Sequence, residues 1–170
     1  FQERLGFHGV KKPKNEIIWI HCVSVGESNS AIILIEEILK KNPEKYILFT
    51  STTINSASQI KKNLGSNSKI IHQFLPIDDI FSINRFIKYW QPKLAIFVES
   101  EIWPNLISQT AKNNIKLALI NARISDKSYK RWLILHKFGF NILKNFQICF
   151  AQSKSDQEKL IKLGLKHTEF

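Results

Sequence analysis

Short apolar runs alternate with longer amphipathic stretches along this chain. Residues 16–23 read as a buried strand. Residues 29–41 follow with helical spacing: Ile32, Ile35 and Leu39 on one side, Glu36, Glu37 and Lys40 on the other. The alternation then repeats. Strands are predicted over 46–50, 70–75, 94–98, 117–120 and 148–151, and helices over 56–64, 79–90, 103–113, 128–146 and 155–163. Punctuation residues fit these limits. Gly65 and Gly164 cap the second and last helices, Pro76 ends the third strand, and Pro104 suits a first helical turn. Asp78 is read as the N-cap of the third helix.

Strand–helix alternation repeated this often predicts an α/β fold: a Rossmann-like parallel sheet with helices on both faces, over residues 16–170. Residues 1–15, with Lys11, Lys12 and Lys14, read as a flexible basic lead-in. The residues after Gly164 read as the approach to a further strand that the chain does not reach.

In such sheets ligands bind at the carboxyl ends of the strands, where strand order reverses. With the order 3-2-1-4-5-6, strands one and four meet there. Strand one is followed by Ser24, Gly26 and Glu27, and strand four by Glu99, Ser100 and Glu101. Two carboxylate-bearing loops therefore converge on one crevice. The first turn lacks the three-glycine dinucleotide fingerprint, and a carboxylate there would repel a phosphate. Glu27 is either a general base or an ordinary acidic residue favoured by the helix N-terminus. Glu99 ends a buried strand, a poor place for a carboxylate without a task. Glu101 also fits first-turn helix charge. Arg123, after strand five, is either an anion contact or the partner of Asp126. Ser51, Thr52 and Thr53 suit helix capping better than ligand binding. His21 and His72 read as satisfied structural histidines, with no metal-ligand spacing between them.

Composition narrows the classes. The 170 residues are 44% hydrophobic and 23% charged, a balance that excludes bulk disorder. No apolar run approaches the roughly 18 residues of a membrane span. Cys22 and Cys149 lie far apart inside apolar runs, which excludes a disulfide framework and fits a reducing compartment. Lys and Arg number 25 against 14 Asp and Glu, so the net charge is +11 and anionic partners are favoured. Only Arg4, Arg85, Arg123 and Arg131 are arginine, which makes nucleic acid the weaker partner. In the predicted helix 128–146, Trp132, Leu135, Gly139, Ile142, Leu143 and Phe146 recur at helical spacing and should face the sheet. Leu133 and Phe140 remain on another side, among lysines. That edge suits either a membrane contact or a solvated face, and periodicity favours the second. The chain has no Met and begins at Phe1, so sequence is expected upstream, and its far end is expected to be a cut.

Five blocks carry a resemblance. Residues 21–27 (HCVSVGE), 75–78 (LPID), 98–106 (VESEIWPNL), 119–125 (LINARIS) and 151–156 (AQSKSD) resemble, in order, those of the 3-deoxy-D-manno-octulosonic acid (Kdo) transferases. The resemblance covers nearly the whole chain. It implies the N-terminal, acceptor-binding half of a two-Rossmann-domain (GT-B type) glycosyltransferase, inverting and metal-independent, with no cofactor. Such enzymes of lipopolysaccharide biosynthesis move Kdo from CMP-Kdo to a lipid A precursor at the cytoplasmic face of the bacterial inner membrane. By this resemblance Glu27 is the general base and Glu99 supports the transition state, while Ser24, Gly26, Glu101, Asn105 and Arg123 line the substrate site. It further implies an N-terminal membrane anchor and a C-terminal donor domain outside this chain, an anionic membrane surface as partner, and no nucleic acid. Cys22 replaces a usual small residue and Ile124 a common leucine; neither puts the expected site in doubt. The competing reading is a non-catalytic anionic-lipid-binding module or a decayed remnant.

Overall fold

The computed structural model describes residues 2–23, 25–137 and 142–169, with side chains described outside 25–30 and 136–137. A 3-10 turn at Gln2–Leu5 leads into β1 (Ile17–His21), α1 (Val25–Lys41), β2 (Tyr46–Ser51), α2 (Ile54–Leu64) and β3 (Ile70–Phe74). There follow α3 (Ile80–Trp90), β4 (Leu94–Val98), α4 (Pro104–Lys112), β5 (Lys116–Ala122) and α5 (Asp126–Lys137). A second 3-10 turn (Ile142–Asn145), β6 (Ile148–Ala151), α6 (Lys154–Lys162) and β7 (Thr168–Glu169) complete the described chain.

The sheet is parallel throughout, in the order β3-β2-β1-β4-β5-β6-β7. The central strands are apolar at consecutive positions because both faces are covered. Alternate side chains feed two cores. Ile17, Trp19 and Phe97 pack with Phe86 and Trp90 of α3, Ile107 of α4, and Phe146. Ile18, Ile20 and Phe49 pack on the other face with Ala31 and Ile35 of α1 and Ile60 of α2. Strand order reverses between β1 and β4, whose register sets His21 beside Phe97. Cys22 and Cys149 are buried and free, and burial pushes the Cys149 thiol up to about 11.

Several expectations are corrected. Asp79, not Asp78, caps α3: its carboxylate accepts from the backbone N–H groups of Phe81 and Ser82. Asp78 serves α4 instead, accepting from Leu106 N at 2.8 Å and Asn105 N at 3.3 Å. That helix needs a distant acceptor because Trp103, at its cap position, supplies no side-chain bond. Of the predicted helix 128–146, the part up to Lys137 is α-helical as α5, and Ile142–Asn145 is a 3-10 turn rather than α-helix. Residues 138–141, with Gly139 and Phe140, lie outside the described residues. Leu133 packs against the core with Tyr129 and Trp132 rather than standing apart. A further strand does begin after Gly164: Thr168 and Glu169 pair with Cys149 and Phe150.

The basic lead-in is held along most of its length. Arg4 donates to the carbonyls of Leu75 (3.2 Å) and Thr52 (2.8 Å), and Glu3 accepts from Phe74 N at 2.7 Å. Gln73 donates to Phe7 O, and Tyr89 donates to Val10 O while accepting from Lys12 N. Gly6 makes this possible. Its φ is +79°, and a Cβ there would stand 2.1 Å from the Ser82 carbonyl oxygen.

Candidate functional site

The strand ends are knitted into one edge. Cys22 N donates to Thr50 O, Leu75 N to Ser51 O, Glu99 N to Ile120 O, and Gln152 N to Ala122 O. Past β1 the chain turns at once into α1. The carbonyl of Val23 accepts from Ser56 Oγ at 2.7 Å and from Thr53 Oγ1 at 3.3 Å, so the turn is anchored on the start of α2. Thr53 also caps α2, as expected of this Ser/Thr run. Gly26 and Glu27 have their backbone in the first turn of α1, whose N-terminal partial positive charge favours an ionised carboxylate. Ser24 and the Glu27 side chain lie outside the described residues.

The other wall leaves β4 differently. Glu99 takes φ 61°, a left-handed conformation uncommon for a residue with a long side chain. Asn121 on adjacent β5 takes φ 51°. Each costs on the order of 1–3 kcal/mol, and such residues concentrate at functional sites. Ser100 Oγ then donates to the Arg123 carbonyl at 2.5 Å, tying the two strand-end loops together. Arg123 itself is exposed at this edge. The proposed pairing of Arg123 with Asp126 is not found among the described residues: Lys159 donates to Asp126 at 2.6 Å instead.

Glu101 is largely buried, its side chain 15% exposed. Its Oε2 accepts from Trp103 Nε1 at 2.6 Å and lies 3.6 Å from His21 Nε2. The reading of His21 as a satisfied structural histidine is therefore corrected. Its Nδ1 sits beside Thr50, but its Nε2 is buried with no hydrogen-bond partner. His72 does fit that reading. Its Nε2 meets Ser51 Oγ at 2.9 Å, and burial lowers its basicity although Glu3 opposes the shift. Asn105 is turned toward the β3–α3 loop, its Nδ2 donating to Asp78 O at 2.8 Å.

Sequence reasoning missed Trp103 as well as His21. Trp103 is 38% exposed and stands at the rim of a cavity of about 390 Å³, with Thr52, Pro76, Ile77 and Asp78. Ile80 and the 83%-exposed Phe81 add apolar surface on α3, just past the β3–α3 loop. A legible signal was available for Trp103: an indole beside a proline at a helix start has little core to bury into. Among the described residues no three His, Cys, Asp or Glu side chains gather as a metal site, and no helix is long and apolar enough to cross a membrane.

An open parallel sheet in this order defines a Rossmann-like α/β domain, a fold whose ligands bind at the carboxyl edge of the switch point. The family described as 3-deoxy-D-manno-octulosonic-acid transferase (kdotransferase) matches residues 1–170, and the chain belongs to that family. A 3-deoxy-D-manno-octulosonic acid transferase of Rickettsia felis is 48% identical over 149 residues, covering 88% of this chain and 32% of that protein. Relatives of the same name from Rickettsia bellii and Haemophilus influenzae are each 40% identical, over 98% and 95% of this chain. The chain spans only 32 to 39% of these relatives' lengths. A solved structure, a putative UDP-N-acetylglucosamine 2-epimerase from Listeria monocytogenes, aligns with TM-score 0.47 and 11% identity over 88% of this chain and 40% of that one.

Proposed function

We propose that this chain is the acceptor-binding half of an inverting, metal-independent glycosyltransferase of the two-domain type. It transfers Kdo from CMP-Kdo to a lipid A precursor. The observation that carries the reading is that β1 and β4 pair at the switch point of a Kdo transferase family sheet, so that a carboxylate-bearing turn follows each strand. One is the first turn of α1 with Glu27; the other is the left-handed Glu99.

Inversion takes a single displacement. The acceptor hydroxyl attacks the anomeric carbon of Kdo, and the bond to the CMP phosphate breaks. A base must take the hydroxyl proton as the new bond forms. Glu27 fills that role, kept ionised by the helix N-terminus until the transfer. CMP leaves as a stable phosphate monoester, so the departure asks little of this half. Glu99 faces the positive charge that builds on the sugar ring. The donor site belongs to the part of the relatives that this chain does not match. Ser24, Gly26, Glu101, Asn105 and Arg123 line the acceptor side. The apolar rim of Ile77, Ile80, Phe81 and Trp103 suits an acylated acceptor presented at the cytoplasmic face of the inner membrane, and the +11 charge suits its phosphates.

The test is binding of the purified chain to a lipid A precursor, a phosphorylated and acylated disaccharide, with phosphatidylglycerol micelles of matched charge as control. The precursor is expected to bind preferentially, and Arg123→Ala to weaken it about tenfold, as expected for a charge-assisted contact. Equal binding of both would replace this reading with a non-catalytic anionic-lipid-binding module, which the exposed Lys127, Lys130 and Arg131 beside the 58%-exposed Ile134 on α5 would then explain.

A further inference from the structure

A line of buried polar groups runs under the crevice and ends on Glu101. Trp19 Nε1 donates to Thr50 Oγ1 at 2.8 Å. His21 Nδ1 lies 3.0 Å from that same oxygen and 3.1 Å from the Thr50 carbonyl. His21 is fully buried, its ring packed edge-on to Phe97, and its unpartnered Nε2 faces Glu101 Oε2 at 3.6 Å. An orphaned ring nitrogen at zero exposure is costly unless something meets it.

For a neutral ring, the tautomer follows from counting donors. Suppose neutral His21 carries its proton on Nδ1. That N–H donates to the Thr50 carbonyl, and Nε2 turns a lone pair toward a carboxylate, acceptor against acceptor. Suppose instead that the Thr50 hydroxyl donates to Nδ1. Thr50 Oγ1 still accepts from Trp19, and Nε2–H points at Glu101. Every group in the line then has a partner of the right kind, save for the last gap. That gap exceeds a hydrogen bond, and contacts of this sort often tighten only when a ligand is bound.

We propose that His21 is a positioning residue: its Nε2–H, set by Thr50 and Trp19, aims the Glu101 carboxylate into the crevice. Trp103 holds the same oxygen, Oε2, from the exposed side. Two N–H groups thus converge on Oε2, and neither contact uses Oε1. Oε1 is the acceptor offered to a hydroxyl of the sugar substrate. This role rests on the acceptor site proposed above, whereas the tautomer and the aim of the carboxylate do not.

The experiment combines nitrogen NMR of the His21 ring with precursor binding, both in the full chain. Nε2 should show the signal of a protonated nitrogen, and Glu101→Gln should move it. Thr50→Val removes the hydroxyl that sets the tautomer. It should shift the proton to Nδ1 and weaken precursor binding about tenfold, the scale of one lost hydrogen bond to a charged group. Thr50→Ser, which keeps the hydroxyl, should restore both. These variants leave the fully buried His21 in place; Thr50→Val also strands Trp19 Nε1, so a urea melt of each variant separates a loss of folding from a loss of binding, and Thr50→Ser keeps that bond. A lone-pair signal at Nε2 in the unaltered chain overturns the proposal. So does an Nε2 signal indifferent to Glu101→Gln, or a Thr50→Val chain that binds precursor as tightly as the parent. If the NMR signature holds while the unaltered chain shows no preference for the precursor, the aim of Glu101 stands and the acceptor reading falls.

Discussion

The two ends of the sheet differ in a way that cavity size alone would misjudge. The amino end opens into the larger hollow, about 630 Å³, lined in part by Lys12, Lys14, Lys93 and Asn114. Lys12 Nζ reaches Gln91 Oε1, and partial burial, then Lys93, holds Lys12 below the usual lysine range. Gln91 and Asn114 take positive φ there, at helix ends, where such residues close a turn. The carboxyl end has the smaller cavity but carries the features that folding alone does not ask for. These are Glu99 left-handed, His21 Nε2 buried without a partner, and an exposed tryptophan bonded to a half-buried carboxylate. Unrelieved strain and unmet polar groups mark the working end better than volume does.

The largest expected effect sharpens that contrast. In protein that carries the donor domain, Glu27→Gln should reduce Kdo transfer by about 10²–10⁴-fold, the usual contribution of a general base. Urea unfolding of the isolated chain should barely move. Replacing Lys12, Lys14 and Lys93 together by Ala should leave transfer within about twofold, since no step of the displacement needs them. A large loss from the lysine variant, or full turnover by Glu27→Gln, would reverse the assignment of the two ends.

Next in size is a change that couples both ends. The N-terminal segment runs from Arg4, bonded to Leu75 and Thr52 at the carboxyl edge, to Lys12, bonded to Tyr89 and Gln91 at the other. Gly6→Ala would force a Cβ against the Ser82 carbonyl at a φ that alanine rarely adopts. A loss of about 1–3 kcal/mol is expected in urea melts. Proteolysis of residues 2–12 should accelerate, because the segment detaches as a unit. Unchanged stability would mean that the segment adds little to the packing of α3.

How far the sequence could see follows from which contacts are local. Strand limits and order were legible because a doubly covered strand needs an unbroken apolar run, and right-handed crossovers leave few arrangements. β4 and β6 were read to the residue. The crevice was legible as a place, because the switch point follows from strand order. What escaped notice depends on pairs far apart in sequence. Asp78 looked like a local cap, yet its carboxylate serves α4, 27 residues on. Residues 1–15 looked like a loose basic tail because lysines suggest solvent, yet Glu3, Arg4 and Gly6 are fitted to β3 and α3. His21 looked like core. Only geometry shows that one of its nitrogens is satisfied and the other faces Glu101.

The smallest effect tests the correction at Asp78 and Asp79, neighbours with different duties at the carboxyl end. Each caps a helix, so Asp78→Ala and Asp79→Ala should each cost about 1 kcal/mol. Their consequences should separate. Removing Asp78 loosens the start of α4 beside Trp103 and should weaken precursor binding, while removing Asp79 should not. Asp79 also carries its own pH signature. Hydrogen bonds from Ser82, side chain and backbone, hold its carboxyl below the ordinary aspartate range. A carboxyl whose folded-state pKa is depressed stabilises the fold above its unfolded pKa, and that contribution is lost as pH falls through the folded value. Between neutral pH and about pH 5 the cost of Asp79→Ala should therefore be constant; below about pH 4, where a free aspartate takes up its proton, it should shrink. Urea midpoints of the two chains at pH 7 and pH 3 measure this. A difference that stayed the same at both values would mean that Asp79 stabilises α3 without its charge, by chain geometry alone.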